Sequence, residues 1–156
     1  MERKQVPFSE LTPLLEEFIE AGKSVEFTPT GASMEPLLHG RRSAVRLARA
    51  EEIRRGDIVL YRRRPDRYVL HRVIACGEDG TFTMCGDGQW GPERGIQRKQ
   101  IIAVVTDFSR NGEKWTACTQ RLYGVYWRVW LWLRPLRRLV FGGSRRIVRM
   151  LRKKCR

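Results

Sequence analysis

The sequence predicts a mostly-β domain with a short helix before it and a basic, amphipathic helical tail after it. Three observations lead there. Between Ser24 and Trp115, apolar and β-branched residues alternate in short runs separated by turn residues, which is the pattern of strands. Ahead of them, one segment repeats its apolar residues at helical spacing. Behind them, the charge balance changes. Of 31 basic residues, 12 fall between Thr119 and Arg156 and no acidic residue follows Glu113, so the first 118 residues carry only +2 of the net +14.

The elements follow in order. Thr12-Pro13 reads as a helix start, with Thr as cap and Pro in the first turn. Leu11, Leu14, Leu15, Phe18 and Ile19 form one face, and Gly22 reads as the stop. "SVEFT", "SAVRLAR", "DIVLYRR" and "RYVLHRVIAC" read as strands, the last two joined by a turn at Arg64-Pro65-Asp66. "GEDG" joins the fourth to "TFTMC" and brings Cys76 and Cys85 together as small core residues. "IIAVVTDF" is a further strand, and Asn111-Gly112 is a tight turn into "EKWTA". This spacing describes a coiled or closed β domain over 1–118, with the tail at 119–156.

Composition excludes several classes. The cysteines, Cys76, Cys85, Cys118 and Cys155, form no C-x-x-C, and two histidines are too few for a zinc site. Neither a metal nor another cofactor is expected, and scattered thiols fit a reducing compartment. "MERKQVPFSE" has no apolar core, so a secretory signal is not expected. No run of about 18 apolar residues supports a membrane span.

One serine and one histidine carry the chemistry. Ser33 follows a strand within "TPTGASMEPLLHG". Gly31 and Ala32 beside it let a substrate backbone approach and leave backbone N–H groups free for a developing oxyanion. Met34 offers an apolar anchor, and Pro36 fixes the loop exit. A serine hydroxyl is a poor nucleophile until a base takes its proton, and an imidazole titrating near neutrality suits that task. His71 is the first candidate. On an alternating strand it shares a face with Val69 and Val73, while Tyr68, Leu70, Arg72 and Ile74 take the other. His39, in the polar context of Gly40-Arg41-Arg42, is the rival base.

"GASMEPLL", "RRGDIVLYRR", "YVLHRVI", "MCGDGQWGPE" and "IIAVV" occur in that order and together resemble the signal peptidase I family, including its Ser-His members, over residues 25 to 108. The resemblance implies the signal-peptidase and SOS-repressor protease fold. It implies a serine endopeptidase that cleaves a leader, signal or pro-peptide bound as an extended strand. In that comparison Ser33 matches the nucleophile and His71 stands at the base. Asp87 matches the acid of the Gly-Asp box, and Glu93 stands near a second acid. Either acid is a candidate for orienting His71. Gly31 stands where a hydroxyl often supports the oxyanion, which leaves the Ser33 N–H and Thr30, and Gly88 replaces an asparagine.

The tail has its own reading. Trp127, Trp130 and Trp132 lie among arginines in "LYGVYWRVWLWLRPLRRLVF", which Pro135 breaks, and Gly142-Gly143 would hinge it to "SRRIVRMLRKKCR". In that last piece Ile147, Val148, Leu151 and Cys155 share one helical face and Arg145, Arg146, Arg149, Arg152 and Lys153 the other. Aromatics with arginines favour peripheral attachment to an acidic membrane surface, on its cytoplasmic face, over nucleic acid or packing on the β body. Two rivals to the peptidase remain: a peptide-binding protein on the same scaffold with decayed catalysis, and a repressor-type protease acting with nucleic acid.

Overall fold

The computed structural model describes residues 8–64 and 67–136. Its contacts divide the chain into two units, 1–120 and 121–156.

The first unit begins with α1, Phe8–Glu20. The helix therefore starts a turn before the expected cap at Thr12, and Pro13 lies inside it, exposed, where it forfeits one backbone hydrogen bond. Leu15 and Ile19 are buried, one turn apart, whereas Leu14 and Phe18 stand exposed. The buried stripe is narrower than the apolar one. Of the five expected face residues, the side chain of Leu11 lies outside the described residues. Gly22 ends the helix as expected, at φ 75°. Its N–H donates to the Ile19 carbonyl and that of Lys23 to the Phe18 carbonyl, the Schellman pattern that satisfies the last carbonyls.

The strands are β1 Val25–Phe27, β2 Ala44–Arg49, β3 Ile58–Arg64, β4 Arg67–Cys76, β5 Phe82–Cys85, β6 Glu93–Ile96, β7 Ile101–Ser109 and β8 Trp115–Ala117. All pair antiparallel in one eight-stranded sheet of order β1-β2-β7-β3-β4-β5-β6, with β8 against β7. A mostly-β fold with a short leading helix is thus the architecture. β6 and the short 3-10 turn at Arg98–Gln100 were not foreseen: "ERGI" follows a Gly- and Pro-rich stretch and lacks a β-branched run. The β7–β8 connection spans 110–114, longer than a tight Asn-Gly turn. Residues 65 and 66, the expected β3–β4 turn, lie outside the described residues.

The register explains the interior. Val59 faces His71 and Tyr61 faces Val69 across β3 and β4; Ile58 faces Arg72 and Leu60 faces Leu70. Opposed residues share a side, so Val59, Tyr61, Val69, His71 and Val73 line one face of the sheet. That face forms a core cluster of Ala50, Val59, Tyr61, Val73, Met84, Ile96 and Ile101. Ile58, Leu60, Leu70 and Arg72 line the other face and are buried too. α1 packs on β1, β2, β4 and β7. The alternation of β4 assigns its faces as expected, but both are covered. Cys76 faces Phe82 and is exposed, whereas Cys85 faces Arg72 and is buried, so the two cysteines are not paired across the hairpin.

The second unit contributes α2, Arg121–Trp132, to the description; Leu133 is a turn whose N–H still donates to the Val129 carbonyl, and residues 134–136, Pro135 among them, are helical again, so the expected break at Pro135 falls at Leu133 instead. Leu122, Val125, Val129 and Trp132 are exposed along it at steps of three and four, which is one helical row. Tyr123, Tyr126 and Trp130 stack in sequence along another face. Arg128 reaches back to the Gly124 carbonyl and lies 4.7 Å from the Trp127 ring. The expected hinge at Gly142-Gly143 and the basic amphipathic segment after it lie outside the described residues. No described helix is long and apolar enough to cross a membrane.

Candidate functional site

His71 lies near the middle of β4, 1% exposed. Its Nδ1 is 3.1 Å from the Tyr61 hydroxyl. The Tyr61 hydroxyl donates to Glu93 Oε2 at 2.9 Å, and Glu93 Oε1 is 3.6 Å from Nδ1. Arg63 holds the same carboxylate through Nε at 2.7 Å and also through a second nitrogen.

Register brings this group together. Tyr61 lies on the His71 side of β3, and Arg63, at an irregularity in the β3–β4 pairing, reaches the same carboxylate. Glu93 faces Met84, and Met84 faces Val73, so Glu93 reaches that same side from β6. In a flat sheet β3 and β6 would be three strand spacings apart, roughly 14 Å. Direct contact between Tyr61 and Glu93 requires the sheet to curl toward this face, as the coiled reading of the sequence anticipated.

Burial pushes the His71 imidazole down to about 4, and the Arg63 guanidinium adds to the effect. The ring is neutral at pH 7. Burial raises the Tyr61 phenol, which therefore stays protonated and able to donate. His71 Nε2 is buried and has no hydrogen-bond partner among the described residues.

The serine loop meets the other side of the ring. A methyl group on Gly86 would lie 2.4 Å from the Ser33 carbonyl oxygen and 3.2 Å from His71 Cδ2. Cδ2 is bonded to Nε2, so the unpartnered nitrogen sits on the flank of the ring nearest this junction. Gly86 must be glycine to permit that approach. The Gly88 N–H donates to the Ser33 carbonyl at 2.9 Å, which ties the loop after β5 to the serine. Ser33 is half-buried, and among the described residues neither its hydroxyl nor its N–H has a partner. The expected hydrogen bond from Ser33 to His71 Nε2 is not made in this structure. The Ser33 carbonyl and the imidazole are nevertheless neighbours across Gly86.

The other candidates have definite places. Met34 is buried beneath the loop as an anchor, while Gly31 and Ala32 are exposed, and a side chain at Gly31 would meet open space. Thr30 is exposed at the same rim. The His39 ring lies 3.7 Å from Glu35, in a half-exposed pair, and the His39 backbone N–H donates to the Ser43 hydroxyl.

Asp87, the first candidate for orienting His71, is committed to Arg72 instead. Arg72 Nε donates to Oδ1 at 2.8 Å and Nη2 to Oδ2 at 2.6 Å, while Nη1 donates to the Gly56 carbonyl at 2.8 Å. Parity gives the reason. Cys85 faces Arg72, and Asp87 lies two residues beyond it, on the Arg72 side of the sheet. Of the two acids, Glu93 is the one that stands beside the imidazole. Tyr61, Arg63 and Gly86 were not singled out from the sequence. The available signal was a tyrosine and an arginine two residues apart on an otherwise aliphatic strand face, since a buried Tyr hydroxyl needs a partner.

A half-exposed serine with an unpartnered hydroxyl, a desolvated neutral imidazole and an anchored carboxylate form a constellation suited to nucleophilic attack and proton transfer. Among the described residues, no group of three or more His, Cys, Asp or Glu side chains is placed to hold a metal. Compared with protein-family models, with curated proteins and with solved structures, the chain matches none of them.

Proposed function

We propose that this protein is a serine endopeptidase of the signal peptidase type, with Ser33 as nucleophile and His71 as base. The observation that carries the reading is the buried, neutral His71 ring, whose unpartnered Nε2 lies on the side where Gly86 joins it to the Ser33 backbone. A buried acceptor with no partner costs free energy and calls for a reason; taking a proton from a serine is one.

In this mechanism the Ser33 hydroxyl attacks a peptide carbonyl and its proton passes to His71 Nε2. The oxyanion meets the Ser33 N–H, with Thr30 at the rim. The imidazolium gives its proton to the leaving amine. Water then repeats the sequence on the acyl-enzyme, with His71 again as base. Glu93 is the acid that supports the imidazolium. Asp87 acts on the other side, by holding the loop that holds Ser33. The substrate is an extended segment of a leader, signal or pro-peptide with small side chains before the cut.

The exposed row Leu122, Val125, Val129 and Trp132 on α2, with the positive charge of the tail, supports peripheral attachment to an acidic membrane surface. Replacing Leu122 and Val129 with Glu in the full chain should reduce sedimentation with vesicles of acidic lipid. If the unaltered chain ignores such vesicles and binds duplex DNA, the attachment reading fails in favour of nucleic acid.

Covalent labelling by a fluorophosphonate probe tests the enzyme. The wild-type chain should label at Ser33, and Ser33→Ala and His71→Ala should both abolish labelling while remaining folded. A folded wild-type chain that does not label at Ser33 would return the scaffold to a peptide-binding role. Retained labelling in His71→Ala would move the base elsewhere, to His39 first.

A further inference from the structure

We infer that Tyr61 is a positioning residue: its hydroxyl stands between His71 and Glu93 and sets the tautomer in which Nε2 of the neutral imidazole is free to accept a proton. The inference rests on the peptidase reading for its purpose, but not for its geometry.

The assignment follows from counting protons. The Tyr61 oxygen lies within hydrogen-bond distance of both His71 Nδ1 and Glu93 Oε2, but it has one proton to give. Glu93 is bound by Arg63 as a carboxylate and can only accept. Were the tyrosine proton aimed at Nδ1, two oxygens 2.9 Å apart would face each other with no proton between them, one of them charged. Directed at Glu93, it leaves a lone pair on the tyrosine oxygen. The contact with Nδ1 is then a hydrogen bond only if Nδ1 carries the ring proton. A neutral ring has one such proton, so Nε2 has none. The chain runs from His71 Nδ1–H to Tyr61, from the Tyr61 O–H to Glu93, with Arg63 fixing the far end.

This is the task that a carboxylate bonded directly to the imidazole performs in a serine triad. Here the carboxylate stops 3.6 Å short of Nδ1, and the phenol fills the gap. When Nε2 takes the Ser33 proton, no proton need leave Nδ1. The imidazolium charge strengthens the hydrogen bonds already present, and Tyr61, whose phenol burial has made less acidic, keeps its proton. The groups facing the ring on this side are Tyr61 and Arg63 from β3 and Glu93 from β6, with Cys85 of β5 acting on Tyr61.

The test is nitrogen NMR of the His71 ring near pH 7 in the full chain, where the two nitrogen shifts identify the protonated one. The wild type should show Nδ1–H, and Tyr61→Phe, which keeps the buried ring, should lose that preference. Glu93→Gln gives a second readout if Tyr61→Phe does not fold. Its amide can donate to the tyrosine oxygen, which turns the phenol proton toward Nδ1 and moves the ring to Nε2–H. In the labelling assay Tyr61→Phe should slow the reaction on the order of 10²-fold through the maximal rate rather than probe affinity, because a mis-set tautomer impairs proton transfer. A wild-type ring protonated on Nε2, or a tautomer unmoved in both variants, overturns the proposal. A wild type with Nδ1–H that is lost in Tyr61→Phe but does not label supports the positioning role and sinks the peptidase reading alone.

Discussion

Replacing Asp87 with Asn separates an ion pair that holds a loop from an acid that orients a base. The Arg72 and Asp87 side chains are 0% and 1% exposed, and both carboxylate oxygens receive guanidinium N–H groups. Asn keeps the shape but removes the charge and turns an amide NH2 toward one of those donors. Arg72 then keeps the Gly56 carbonyl and the influence of the Asp57 carboxylate, but loses the charge at which its Nε and Nη2 are aimed. Losing one partner of a buried pair typically costs about 3–5 kcal/mol, a large share of the roughly 5–15 kcal/mol that hold a domain together. With a urea slope of about 1–3 kcal/mol per molar, the unfolding midpoint should fall by roughly 2 M. Glu93→Gln is the comparison. Glu93 and Arg63 are 23% and 27% exposed, so screening limits its loss to about 1 kcal/mol. The double variant Arg72→Met/Asp87→Leu should recover much of the stability that Asp87→Asn loses. Asp87→Asn unfolding no earlier than Glu93→Gln, or a double variant worse than the single one, would refute a stabilising role for the buried pair.

Gly86→Ala should cost about 1–3 kcal/mol, as overpacking does, and suppress labelling, because its methyl would meet the Ser33 backbone; Gly91→Ala, which meets open space, should do neither. Arg63→Met should raise the His71 value from about 4, since the guanidinium helps hold it down, so the acid limb of activity should move to higher pH. Thermodynamic stability should also fall with acid through His71. Its value is near 6.5 unfolded and about 4 folded, so its contribution is intact above pH 6.5 and lost as pH falls toward 4, by roughly 3 kcal/mol in all. His71→Leu should flatten the pH dependence of unfolding in that window relative to wild type.

The strands were legible because alternation is a local signal. β2, β3, β4, β5 and β7 all fall on runs where β-branched and aromatic residues recur at a period of two. β6 was not, because "ERGI" owes its extended shape to pairing with β5 rather than to its own residues. The helix start was misplaced by a turn since Thr-Pro is a start signal only when nothing upstream is helical. At the site, Ser33 and His71 stand out in the sequence because a candidate nucleophile and a candidate base are chosen by residue type. The choice between Asp87 and Glu93 could not be made, because it depends on which side of β4 each acid reaches. That follows from the registers Cys85↔Arg72 and Met84↔Val73, and from the curl that brings β6 to β3. Tyr61 was hidden for the same reason: its partnership with His71 is diagonal across two strands.

These registers give the pair His71-Arg72 a shared purpose. Consecutive strand residues point to opposite faces. His71 enters one side, where the charges of Arg63 and Glu93 offset each other around a neutral ring. Arg72 enters the other, where Asp87 compensates it. Asp87 lies between Gly86, where a methyl group would press on both the Ser33 carbonyl and the His71 ring, and Gly88, whose N–H holds that same carbonyl. The arginine thus holds the segment bonded to the Ser33 carbonyl, while its neighbour is the base of the proposed mechanism. A rigid link of this kind limits how far Ser33 and His71 can drift apart, which matters because misplacement by about 1 Å can cost 10²-fold in rate. In the proposed mechanism the acid beside the imidazole and the acid behind the serine loop therefore act on different variables. Glu93 acts on the protonation and tautomer of the ring, and Asp87 acts on the distance between ring and hydroxyl.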